Sequence, residues 1–157
     1  ALTHSAVGVV FRPGPDCWLP EPWVLEPLLA ALNEHRLPVF CLERLMPYAA
    51  IEQAARAAPD VPFVIAEVGY RNHRSLMALM QRHANVYLSI GNAFTAHQGV
   101  EWYSRQIGHE RLLFGTGLPD SDPGAAIGQL LYADLPTPTL EQIGTGNFVR
   151  LQEAIKR

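Results

Sequence analysis

Five short apolar runs recur along the chain, each followed by a segment of helical periodicity, and this rhythm limits the possible folds more than any single motif. They are AVGVVF (6–11), LPVFCL (37–42), PFVIAEVG (62–69), NVYLSIG (85–91) and RLLFG (111–115). Each is too short for a core helix and apolar on both alternating faces, which suits a strand covered on both sides in a parallel sheet. After the first run, Trp23, Leu25, Leu28, Leu29 and Leu32 recur at helical spacing and predict a helix with one buried stripe. Residues 51–58, 75–83, 97–108 and 125–133 predict four more helices. The end, LEQIGTGNFVRLQEAIKR, reads as two helical pieces broken at Gly144 to Gly146, with Asn147 placed to cap the second.

Strands alternating with helices predict an α/β protein built from repeated βα units around a parallel sheet. An eight-stranded βα barrel takes about 250 residues. Five units in 157 residues therefore predict either an open doubly wound sheet or a partial TIM-type barrel. No linker, charge block or repeat divides the chain, so 1–157 reads as one domain.

The chain carries 48% apolar and 17% charged residues, enough to bury a core in a soluble protein. A net charge of -3 without any Lys/Arg run argues against a nucleic-acid partner. No apolar stretch approaches the roughly 18 to 20 residues that span a bilayer, and Ala1 opens no signal-like region, so a cytoplasmic protein is expected. Cys17 and Cys41 have neither metal-ligand spacing nor disulfide density, and Cys41 reads as a small core side chain.

Four phrases carry a resemblance: LPVFCLE (37–43), VPFVIAEVGY (61–70), RLLFGTGLPD (111–120) and LEQIGTGNFVRL (140–151). In order and spacing they resemble the amidohydrolase superfamily, in its amidohydrolase-related branch of TIM-barrel hydrolases and decarboxylases. There the phrases run approximately LPVxxH, xxxxxHxG and xxxFGSDxP, followed by a terminal helix with an Asn-Ala-x-x-Leu pattern. The resemblance implies that this chain is the C-terminal portion of a longer barrel, matching its later strands, roughly the fourth to the eighth. The first-strand His-x-His pair of the family has no counterpart, and His4 is not that pair. Family members bind zinc or another divalent metal. The corresponding ligand positions fall here on Leu42, Glu67 and Gly117, and leucine and glycine supply neither ligand nor base. The expectation is a protein without the usual metal centre.

In such folds function gathers at the carboxyl ends of the strands. Glu67 interrupts an apolar strand, where burial would tune it toward a general base or acid. The alternative is that an arginine pairs with it as a structural replacement for the metal. Arg12, Arg44 and Arg71 are candidate clamps for a carboxylate or phosphate. Glu43, Tyr70, Asn92 and Asp120 complete the expected substrate-binding set, with Ser89 and Asp122 also on the rim. Asp120 and Asp122 equally suit capping or Asx turns before a helix. His73, His83 and His109 read as solvent-facing, and His97 as closer to the rim. Trp18, Trp23 and Trp102 read as core or loop anchors, and the proline-rich loop 12–22 as a lid or a stiff connector. The expected function is metal-independent hydrolysis of a small carboxylated or lactone substrate, in a monomer or homo-oligomer. The alternative is a catalytically inactive binding or scaffold protein.

Overall fold

The computed structural model describes residues 6–156, so the reading of His4 lies outside the described residues. Strands β1 (Val9–Phe11), β2 (Val39–Leu42), β3 (Phe63–Ala66), β4 (Val86–Ile90) and β5 (Leu112–Phe114) form one sheet in chain order, and every neighbouring pair is parallel. They alternate with α1 (Pro22–His35), α2 (Tyr48–Ala57), α3 (His73–Arg82), α4 (Gly99–Ile107) and α5 (Gly124–Leu131).

A doubly wound sheet reverses its strand order and carries helices on both faces. Here the order never reverses. Strand residues of one parity, such as Val39, Cys41, Phe63, Ile65, Leu88 and Leu112, share a core with Leu29, Ile51, Leu76, Tyr103 and Leu130 from the helices. All five helices therefore cover one face, which is the winding of a βα barrel. The partial TIM-type barrel is the form adopted.

The opposite parity, Phe40, Val64, Tyr87 and Leu113, meets Phe148 and Leu151 from the end of the chain. That end is continuous: α6 (Thr137–Glu141) passes through a π-helical turn at Gln142–Gly146 into α7 (Asn147–Glu153). The break expected at Gly144 to Gly146 is thus absent, because the glycines widen the helix by one turn while keeping helical dihedrals, with Gly146 at φ -58°. Asn147 is not a cap. It is 1% exposed, and its Nδ2 donates to the carbonyls of His109 at 2.7 Å and Leu112 at 2.8 Å, fixing the helix to the start of β5. Beyond α7, the Lys156 amide donates to His35 O at 2.8 Å and His35 Nδ1 donates to Lys156 O at 2.9 Å. Residues 147–156 therefore run beneath the amino ends of the strands, from β5 back to the residue that closes α1.

Two sequence expectations for the helical layer need correction. In α1 the buried stripe is Leu25, Leu29 and Leu32, while two of the residues expected in it are exposed, Trp23 at 71% and Leu28 at 39%. At 100° per residue Trp23 sits about 160° round the helix from Leu25, so it cannot share that stripe. His73 and His83 do not face solvent. The His83 side chain is 14% exposed against Glu52, and His73 packs edge-on to Phe94 with ring centroids 5.0 Å apart.

Candidate functional site

At the carboxyl ends of β2 to β5 the inward-facing residues and the loops after them enclose a cavity of about 500 Å³. Leu42, Glu67 and Gly117, drawn from three separate strand ends, all line it, together with Arg44, Asn92 and Asp120. Ser89 and Ser121 add hydroxyl groups to the wall. Ser121 was not anticipated, although the GTGLPDS turn held the clue: its amide donates to Gly117 O at 3.0 Å, folding residue 121 back over the cavity.

Alternation explains most of this wall, and its failure explains Glu67. Val64 and Ala66 point to the inner face, whereas Phe63 and Ile65 point to the helices. A strand prolonged through residue 67 would drive a carboxylate into the apolar helical layer. Instead β3 stops at Ala66 and Glu67 takes a left-handed conformation with φ 58°. Val68 then occupies the apolar position, completely buried. The burial expected for Glu67 is not met, because the strand ends one residue early and leaves its side chain 36% exposed. Glu67 Oε2 accepts a hydrogen bond from Arg44 Nε at 2.9 Å, so the arginine pairing considered from the sequence is present. This bond uses one of the five N–H groups of the guanidinium.

Glu43 obeys the alternation that Glu67 breaks, and it points away from the cavity into the helical side. Its Oε1 accepts from the Tyr48 hydroxyl and its Oε2 from the Gly69 amide at 2.9 Å. Burial, and then Glu43, push the Tyr48 phenol far above its ordinary range. Tyr103 is pushed up in the same way and for the same two reasons. His73 Nδ1 lies 2.9 Å from the Tyr103 hydroxyl, and burial pulls its imidazole below 6.5 against the opposing influence of Glu43.

The other expected rim residues stand apart from the cavity. Arg12 lies 3.9 Å from Asp16 in the loop after β1, with both side chains about half exposed. Trp18 packs edge-on to Phe11 at 5.5 Å and anchors that loop to β1. Tyr70 and Arg71 form a single 3-10 turn in which Arg71 Nε donates to the Tyr70 hydroxyl at 2.9 Å, and Tyr70 is 60% exposed. Nearness to a strand end suggested these residues, but their loops carry them outward. Asp122 makes an Asx turn, accepting from the Gly124 amide at 2.7 Å at the start of α5. His97 borders a separate shallow depression between α4 and α5.

The three positions where the resemblance places metal ligands carry a single carboxylate between them, that of Glu67. Leu42 offers no donor atom, Gly117 no side chain, and the carboxylate of Glu67 is already held by a guanidinium whose charge repels a cation. Among the described residues no group of three or more His, Cys, Asp or Glu side chains is arranged to hold a metal ion. Gly117 is also fixed by its backbone: it adopts φ 75°, and a Cβ there would come within 3.2 Å of Ser121 Cβ.

Comparison with solved structures returns TIM-barrel proteins. An uncharacterized TIM-barrel protein from Bordetella bronchiseptica is similar with a TM-score of 0.76 and 20% identity, over 93% of this chain and 57% of that one. Amidohydrolase 2 from Bifidobacterium longum subsp. infantis gives 0.71 and 15%, over 99% and 64%. The 5-carboxyvanillate decarboxylase of Sphingomonas paucimobilis gives 0.67 and 12%, over 96% and 59%. Identities this low show the fold alone, and the chain spans less than two thirds of each of these proteins. Comparison with curated proteins gave no match. The family model described as Amidohydrolase matches residues 4–151. With its five parallel strands wound in order beneath one helical layer, the chain belongs to the amidohydrolase family.

Proposed function

We propose that the cavity at the ends of β2 to β5 binds a small carboxylated substrate and hydrolyses an ester or lactone bond in it, with Glu67 as the base. The observation that carries this reading is the Arg44–Glu67 pair on the cavity wall, 2.9 Å from Nε to Oε2. A substrate carboxylate fits a guanidinium better than one oxygen of Glu67 does, because it can take two N–H donors at once. Its arrival would loosen Glu67 from Arg44 and leave the carboxylate free to accept a proton. Glu67 would then take a proton from water as the water oxygen attacks the acyl carbon. The C–O bond to the leaving oxygen breaks, and that oxygen takes the proton back. Asn92, Ser89 and Ser121 supply neutral groups along the same wall for orientation. Neighbouring structures named as decarboxylases of 2,6-dihydroxybenzoate and 5-carboxyvanillate support a carboxylated substrate class.

A second reading is that the cavity binds without converting. It is favoured by Leu42 and Gly117, which leave two of the three family positions without a functional side chain. One experiment separates the two. The purified protein is screened against lactones and aromatic carboxylates, with binding measured by calorimetry and turnover by product formation, before and after chelation. Hydrolysis that resists chelation and falls by about 10²-fold or more in Glu67→Gln, the scale of lost general-base catalysis, supports the first reading. Saturable binding without turnover, weakened in Arg44→Ala, supports the second. Turnover that needs added zinc or manganese overturns the metal-free mechanism.

A further inference from the structure

The carboxylate of Glu67 reaches the cavity only because its backbone is left-handed, a conformation that a residue with a Cβ adopts at a cost unless its surroundings enforce it. Two consecutive residues at the end of β2 grip the four-residue stretch that contains it. The Glu43 amide donates to Ala66 O at 3.0 Å, which extends the ladder to the last residue of β3. The Glu43 side chain then reaches past Glu67 and accepts from the Gly69 amide at 2.9 Å. Arg44 holds the Glu67 carboxylate itself. Val68, completely buried, pins the stretch between these contacts. Glu43 is steadied in turn by the Tyr48 hydroxyl at the first turn of α2.

We infer that Glu43 is a positioning residue: by holding the Gly69 amide it keeps residue 67 left-handed and so keeps the Glu67 carboxylate in the cavity. Its side chain is not part of the cavity wall and meets Tyr48 and Gly69 instead, so the role inferred here differs from the substrate-binding role expected from its place beside Leu42. The geometric logic is a lever. Released at Gly69, the chain after Ala66 can relax toward extended backbone, and strand alternation then turns residue 67 toward the helices, away from Ser89 and Asn92. That the carboxylate so placed does chemistry rests on the proposed function; that Glu43 places it does not.

The test reads the two separately. Amide hydrogen exchange is followed residue by residue in the wild-type protein, Glu43→Gln and Glu43→Ala. Gly69 is expected to exchange roughly tenfold faster or more in Glu43→Ala, the scale of losing a charge-assisted hydrogen bond, while Ile65 within β3 stays protected. Glu43→Gln retains one acceptor oxygen and is expected to lie between the two. Tyr48→Phe, which keeps the Glu43–Gly69 bond, serves as the milder variant if Glu43→Ala folds poorly, and is expected to raise Gly69 exchange only slightly. In Glu67→Gly, where left-handed backbone carries no Cβ penalty, adding Glu43→Gln should change Gly69 exchange less than it does in the wild type. For any substrate that is turned over, kcat should fall in Glu43→Gln with KM little changed, because Arg44 is untouched. Gly69 exchange that is unchanged in both Glu43 variants overturns the inference whatever the activity. Faster exchange in a protein without turnover on any substrate leaves the positioning role standing and counts against the proposed function alone.

Discussion

Single side chains in this protein are set by which face of the sheet they meet. Cys41 follows its strand into the helical core, is completely buried, and has its thiol pushed up to about 12 by that burial. Cys17 is exposed in the loop after β1. A thiolate reagent at neutral pH should therefore label one cysteine in the native protein and two after denaturation, and mass spectrometry should place the native label on Cys17. Two native labels would mean that β2 is not held in the core. His73 gives a pH-dependent prediction. Burial depresses its imidazole below 6.5, so between the folded and unfolded values the unfolded chain binds more protons. The stability contributed by the neutral ring is complete above 6.5 and is lost as pH falls through the depressed folded value. Urea unfolding between about pH 5 and 7 should show a shallower decline in His73→Gln than in the wild type. An unchanged slope would place the ring in water.

At the scale of elements, the ends of the helices hold the layers together. Arg111 Nη1 donates to Met80 O at 2.8 Å and to His83 O at 3.2 Å, and its Nε donates to Ile107 O at 3.2 Å, so one guanidinium serves the carboxyl ends of both α3 and α4. Asn147 plays the corresponding part for α7. Asn147→Ala leaves two carbonyls without this donor and should cost about 2–4 kcal/mol, measured as a lower urea midpoint with an unchanged m-value. A loss below about 0.5 kcal/mol would show that the helix is held by Phe148 and Leu151 alone. The sequence made the five strands and five major helices legible, because a buried parallel strand and a one-faced helix each have a period that a single chain displays. It hid Asn147, since a polar residue beside glycines looks the same whether it caps a helix or reaches across to a strand. It also hid the face of Glu67, because alternation carries no sign of where a strand will stop. Leu42 and Gly117 could be placed at the cavity from the family phrases, whereas the position of Arg12, Tyr70 and Arg71 off its wall follows only from the path of their loops.

For the whole molecule, winding five parallel units in order leaves β1 and β5 as edges among the described residues. On β1, Val10 is 49% exposed. Unpaired edges with apolar side chains promote pairing between copies, so Val10→Lys should reduce concentration-dependent association in light scattering, with the unfolding midpoint little changed. Association that is insensitive to this change would have to involve another surface. The order of the fold was readable from rhythm alone, but the choice between one helical layer and two was not, because both give the same alternation along the chain. The helix that runs beneath the strands has one more implication, for synthesis on the ribosome. Phe40, Val64, Tyr87 and Leu113 gain their partners Phe148 and Leu151 only once residues 147 to 156 have emerged. Until then a nascent chain with all five strands translated would present an uncovered row of aromatic and aliphatic groups. It is at this stage, before the native state is reached, that chaperone capture or misassembly should compete with folding.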